Sequence, residues 1–164
     1  MPESPSNMTP KLEVASVEAA LQLSVSLHWL AVEQYTVQAE HLARWGYSKL
    51  AEEAREDAEE ERGHLRKLLA RLEFYDIEPT CDHDHAEWPR HDYEGILASN
   101  YALEVKSMMA ERGNVMVARS AGDELTAIVF AEILAGSEDS VRNIEGTMRV
   151  IEQIGIDNFL ADKV

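Results

Sequence analysis

The chain is short of several things that would settle its chemistry outright. Its 164 residues include one cysteine, Cys81, so no internal disulfide can form, which fits a reducing cytoplasm. Basic residues are scarce, 15 Lys and Arg against 31 Asp and Glu, for a formal charge of −16. That balance argues against nucleic acid or an anionic membrane as a partner and favours attraction of cations. The opening MPESPSNMTP lacks the basic region and apolar run of a secretory signal. Long hydrophobic runs are missing too. In the first helical segment the longest stretch free of Asp, Glu, Lys and Arg runs from Ala19 to Val32 and contains His28. A membrane span needs roughly 20 apolar residues. The expectation is a soluble, cytoplasmic protein with one ordinary core.

Helical periodicity is what the chain does have. Residues 1–10, with three prolines, read as a disordered N-terminal tail, and residues 11–164 as a single domain. Apolar positions recur at steps of three and four over about 13–45 (Leu21, Val25, His28, Trp29, Val32, Thr36, Ala39) and 48–75 (Leu50, Ala54, Glu61, Leu65, Leu68, Leu72). They do so again over 93–121 (Leu97, Tyr101, Glu104, Met108, Val115) and 123–154 (Phe130, Leu134, Ser137, Val141, Ile144, Met148, Ile151). A short closing helix is expected over 156–162. Gly46, Gly122 and Gly155 punctuate the pattern, with Ser48 and Asp123 as candidate caps. Residues 75–92, containing Pro79 and Pro89, form a long crossover. Two helical hairpins joined in this way make an all-α four-helix bundle. The interval from His28 to Glu61 recurs from Glu104 to Ser137, so the halves read as a pseudo-twofold pair.

Some of the core-facing residues are polar. Glu61 and His64 stand three apart, so both project to one side of their helix, where a carboxylate can bridge two metals and an imidazole bind one. Bundles with a mid-core metal pair take one Glu from each of two helices and a Glu-x-x-His from each of the others. The corresponding positions here are His28, Glu61, His64, Glu104, Ser137 and Ser140. Neutral serine is a poor ligand beside carboxylate and imidazole, so both serines count as lost ligands. A metal-free cluster of buried carboxylates partnered by His28 and His64 is the alternative. In the crossover, Cys81, His83, His85 and His91 with Asp82 and Asp84 form a second candidate metal group, at spacings that match no closed site.

The segments EQY at 33–35, WGYSKL at 45–50, ExxH at 61–64, ALEV at 102–105, AEIL at 131–134 and IGIDNFL at 154–160 resemble the bacterioferritins, within the wider ferritin-like superfamily. The resemblance runs from about Leu21 to Leu160. It implies a ferritin-like bundle with a short fifth helix, self-associating into a hollow, 24-subunit shell that oxidises and stores iron. It makes Glu61 the bridging carboxylate, His64 its terminal imidazole and Glu104 the terminal carboxylate of the second metal. Tyr35 would be a redox tyrosine near the iron pair, and Glu56 and Glu60 cavity-surface iron ligands. Three features depart from the family pattern. His28 replaces a glutamate, Ser137 and Ser140 replace Glu and His, and Arg62 stands at the haem-ligating Met position. A donor-only side chain cannot ligate haem iron, so haem is not expected.

The site so read is an incomplete ferroxidase centre. His28, Glu61 and His64 would hold one metal, with Glu104 as a fourth ligand. The leading function is an iron-storage cage subunit, one that could share a mixed shell with an active sister subunit. The alternatives are a ferritin-like redox enzyme with a mononuclear site, or a metal-free structural subunit. A large cage supports storage, and oxygen consumption linked to Fe(II) marks the enzyme.

Overall fold

The computed structural model describes residues 14–164; the expected tail at 1–10 and the start of the first helix at Glu13 lie outside the described residues. Four long helices, α1 (Val14–Trp45), α2 (Ser48–Phe74), α3 (Tyr93–Ser120) and α4 (Glu124–Ile154), are followed by a short α5 (Ile156–Ala161). No strand occurs among the described residues. This is the all-α bundle with a crossover and a fifth helix.

Each hairpin turns on a glycine held at positive φ, +94° at Gly46 and +81° at Gly122, where a side chain would be strained. Asp123 then caps α4 by accepting from the Thr126 N–H at 3.0 Å. It also receives Arg71 at 3.2 Å and the Tyr75 hydroxyl, tying α2 to the start of α4. Ser48 does not cap α2. The turn places Tyr47 at the cap position with no side-chain bond, and Ser48 is already helical. A free N–H of the first turn, at Lys49, is met instead by the Lys163 carbonyl at 3.2 Å. The segment after α5 thus closes the start of α2, and Phe159 stacks on Tyr93.

α1 packs along α2, α3 along α4, and α1 against α3, whereas α2 and α4 barely meet. The facing surfaces explain the open seam. Along the gap α2 offers Glu53, Glu56, Asp57 and Glu60, and α4 offers Ser140, Asn143 and Thr147, so few apolar side chains interlock there. A cavity of about 300 Å³ occupies the gap. Ile144 of the α4 stripe lines this gap and is only half-buried, as are Leu134 and Met148.

The apolar core falls into three clusters. The largest joins Val17, Leu21, Val25, Leu65, Leu68, Leu72, Phe130 and Ile133. A second lies around Leu30, Tyr35, Ala58 and Leu103, and a third around Leu42, Leu50 and Ile96. The α1 stripe differs from the expected one, because Trp29 is 40% exposed and Thr36 is also outside. Leu21, Val25, His28 and Ala39 of that stripe are buried, and the buried face widens from them through Ser24, Ala31, Tyr35, Gln38 and Leu42. Three glutamines of α1 hold the crossover. Gln22 bonds Glu78 and Thr80, and Gln34 and Gln38 bond both ends of the Glu87 peptide. Among the described residues no helix is long and apolar enough to cross a membrane.

Asp123→Ala removes a cap and a largely buried ion pair together, so it should cost about 2–4 kcal/mol in urea unfolding. Asp123→Asn should recover the capping share alone.

Candidate metal centre

Between the largest and the second apolar clusters lies a polar layer: Ser24, His28, Glu61, Glu104, Ser107, Glu111, Asn114 and Ser137, all buried. His28 comes from α1, where its place on the buried face leaves it no route to solvent. Its Nδ1 hydrogen-bonds Glu61 Oε2 of α2. His64, one turn further on, sets its Nδ1 3.5 Å from Glu61 Oε1, and the two imidazoles meet edge to face at 5.2 Å. One donor atom from each of His28, Glu61 and His64 falls within 4.8 Å of the others, the one such group among the described residues. Gly136 of α4 faces the group. A Cβ there would make ordinary contact, at 3.4 Å, with both the His64 ring and Glu60.

These charges depend on one another. Burial by itself would lower His28, but the Glu61 carboxylate, seconded by Glu111, outweighs it and raises the imidazole to about 10. Glu61 is pushed up by burial and pulled further down by His28, ending at about 2. Glu104 goes the other way. Burial, then the Glu61 charge, lift it to about 8 although the Tyr35 hydroxyl donates to it at 2.5 Å. Burial likewise drives Tyr35 well above its ordinary value.

The expected site residues therefore divide. His28, Glu61 and His64 converge, while Glu104 stands beside them, engaged with Tyr35 and outside the tight group. Ser137 spends its hydroxyl on Ser107 at 3.4 Å. Ser140 lines the α2–α4 cavity together with Tyr35, Glu56, Glu60, Glu61 and Glu104. Asp57, exposed on its rim, lines it too and is pushed up by partial desolvation at the cavity wall and then by Glu60 and Glu61. Arg62 lies outside the bundle, bonded to Glu59 and Thr36. The crossover group does not assemble. His83 turns to the Asp84 carbonyl, Asp84 pairs with Lys106, and His91 stacks on Trp45.

One buried acid escaped the sequence reading. Glu111 of α3 is 0% exposed, accepts from Ser24 Oγ at 2.5 Å, and sets Oε1 3.4 Å from His28 Nε2. Its signal was present, because it lies two turns beyond Glu104 on the same face.

The donor set suits a divalent cation. One buried nitrogen of the group, His64 Nδ1, lacks a hydrogen-bond partner, and imidazole plus carboxylate is a ligand set for iron or zinc. A four-helix bundle with imidazole and carboxylate converging in mid-core is the architecture of the carboxylate-bridged metalloproteins. The pattern of the ferritin-like domain family matches residues 18–154, and the chain belongs to that family. Within it the chain is bacterioferritin-like. It is 25% identical to a bacterioferritin of Brucella melitensis over 129 residues, 79% of this chain and 80% of that protein. It is 27% identical to a bacterioferritin of Rhodobacter capsulatus over 154 residues, 88% and 90% of the two chains. Against a bacterial ferritin of Pseudomonas aeruginosa it is 24% identical, covering 82% and 87%.

Glu104 makes the metal-free protein sensitive to pH. Its folded value of about 8 exceeds the usual 4.5, so the fold holds a proton that the unfolded chain releases, and stability falls as pH rises between them. Glu104→Gln keeps an acceptor for Tyr35 and removes this dependence. It should be more stable than the parent by up to about 3 kcal/mol at pH 7 in urea unfolding, with no advantage below the window. Parallel pH profiles for the two proteins would contradict this.

Proposed function

We propose that the chain is an iron-binding, iron-storage subunit that self-associates into a bacterioferritin-like cage in the cytoplasm. Its interior centre takes one divalent ion between His28, Glu61 and His64, rather than the symmetric pair of a complete ferroxidase site. The convergence of those three donors within 4.8 Å carries this reading. The second half of the bundle offers Glu104 against Ser137 and Ser140, too few donors for a second tight site. Iron is the cargo. The carboxylates of the α2–α4 cavity attract it, with Glu56 and Glu60 at the outer wall and Glu61 and Glu104 at the inner. Tyr35, buried on Glu104 and lining the same cavity, is the candidate redox tyrosine. An active sister subunit would supply fast oxidation in a mixed shell.

A metal-free structural subunit is favoured by one observation. His28 and Glu61 already satisfy each other as a buried, hydrogen-bonded pair. Stoichiometry decides between the readings. Anaerobic Fe(II) addition to the purified assembly should give one tightly bound ion per subunit, on a particle of many hundreds of kilodaltons by size-exclusion chromatography. Two tight ions would refute the single-ion centre, and none would favour the structural role.

The double variant Ser137→Glu with Ser140→His should raise tight binding from one ion to two and speed Fe(II) oxidation. It should also lower the melting temperature of the metal-free protein, because it buries a further carboxylate near Glu61, Glu104 and Glu111. Unchanged metal content would mean that the lost ligands lie elsewhere.

A further inference from the structure

His28 lies between two carboxylates that belong to different helices. Nδ1 faces Glu61 and, past it, His64, so this nitrogen is the one that converges with the other donors. Nε2 points the opposite way, to Glu111 Oε1 at 3.4 Å, close enough for an ion pair but without hydrogen-bond alignment. An imidazole that gives the lone pair of one nitrogen to a metal carries its proton on the other, and that proton needs an acceptor. Where the acceptor is a carboxylate it fixes the tautomer, orients the ring and strengthens the ligand.

We infer that Glu111 is the positioning residue for His28. It receives the Nε2 proton and presents Nδ1 to the ion held with Glu61 and His64. The inference rests on the centre proposed above. Glu111 is itself held for this task. Ser24 Oγ donates to Oε1 at 2.5 Å and Asn114 Nδ2 to Oε2 at 3.3 Å. A carboxylate has about four acceptor positions, so two donors leave capacity for the imidazole. Every partner comes from α1 or α3, and Glu111 is wholly buried, so water cannot compete for the bond. Glu104 has no such role, because its nearest donor is Tyr35. The α3 carboxylate that backs the imidazole thus lies two turns beyond Glu104.

Co(II), whose visible spectrum reports its ligands, tests this on the assembled protein. Glu111→Gln keeps the shape and an acceptor oxygen for Ser24 but removes the charge. It should weaken Co(II) binding by about 10–100-fold and alter the absorption bands, with little change in the melting temperature of the metal-free protein. Ser24→Ala, which frees Glu111 without touching the ring, should give a smaller loss in the same direction and serves if the first variant fails to fold. Equal affinity and identical spectra in parent and variant would overturn the inference while leaving the His28–Glu61–His64 centre standing. Complete loss of binding in Glu111→Gln would make Glu111 a ligand and also overturn it. If His28→Ala and His64→Ala bind Co(II) like the parent, the centre itself fails, and the inference with it.

Discussion

A single buried contact, His28 to Glu61, underlies the rest of the interior. An unpaired carboxylate in this core would take up a proton or force the helices apart, and an unpaired imidazole would stay neutral. Together they hold opposite charges across the α1–α2 interface, Glu61 raising the proton affinity of the imidazole and His28 lowering that of the carboxylate. Such a pair adds little net stability over a hydrophobic one, because desolvation cancels much of the attraction. What it does is set a place. His64 is brought in one turn along α2, and Glu111 faces the far side of the ring. The apolar core is left divided above and below this layer.

The two halves of the bundle have diverged around that layer. The first hairpin, α1 with α2, holds both imidazoles and the ionised Glu61. The second, α3 with α4, holds Glu104, whose own proton affinity is raised, and two serines. Ser137 finds only another serine. The seam between α2 and α4 follows the same division, because the carboxylates on one wall face short polar side chains on the other. Charge that prevents close packing there is also what draws cations in, so the looseness of the seam and the proposed binding role have a common cause.

Much of the bundle was legible from periodicity, since runs of about thirty residues with apolar steps of three and four admit few other structures. Glycine turns at 46 and 122 were equally plain. The α1 stripe was misplaced at Trp29 and Thr36 because a helix touching both α2 and α3 buries a wide face, and a narrow stripe can be drawn along its edge. Ser48 looked like a cap, but the orphan N–H beside it is met by a carbonyl more than a hundred residues away. Glu111 was passed over because Met108 and Val115 made the α3 stripe look apolar, although the acid two turns beyond Glu104 shares its face. The crossover histidines resembled a site by composition alone. Glutamines of α1 fix the path of that loop, and along it the histidines point to separate partners.

The sequence by itself determined the helices, their order, the crossover and the register that turns His28, Glu61, His64 and Glu104 inward, because these follow from local periodicity and from where glycine and proline fall. Only the tertiary structure decided which of those groups meet. Pairing Glu61 with His28, assigning Glu104 to Tyr35 and setting Glu111 behind the imidazole all depend on distances between helices. Spacing along one helix does not encode those distances.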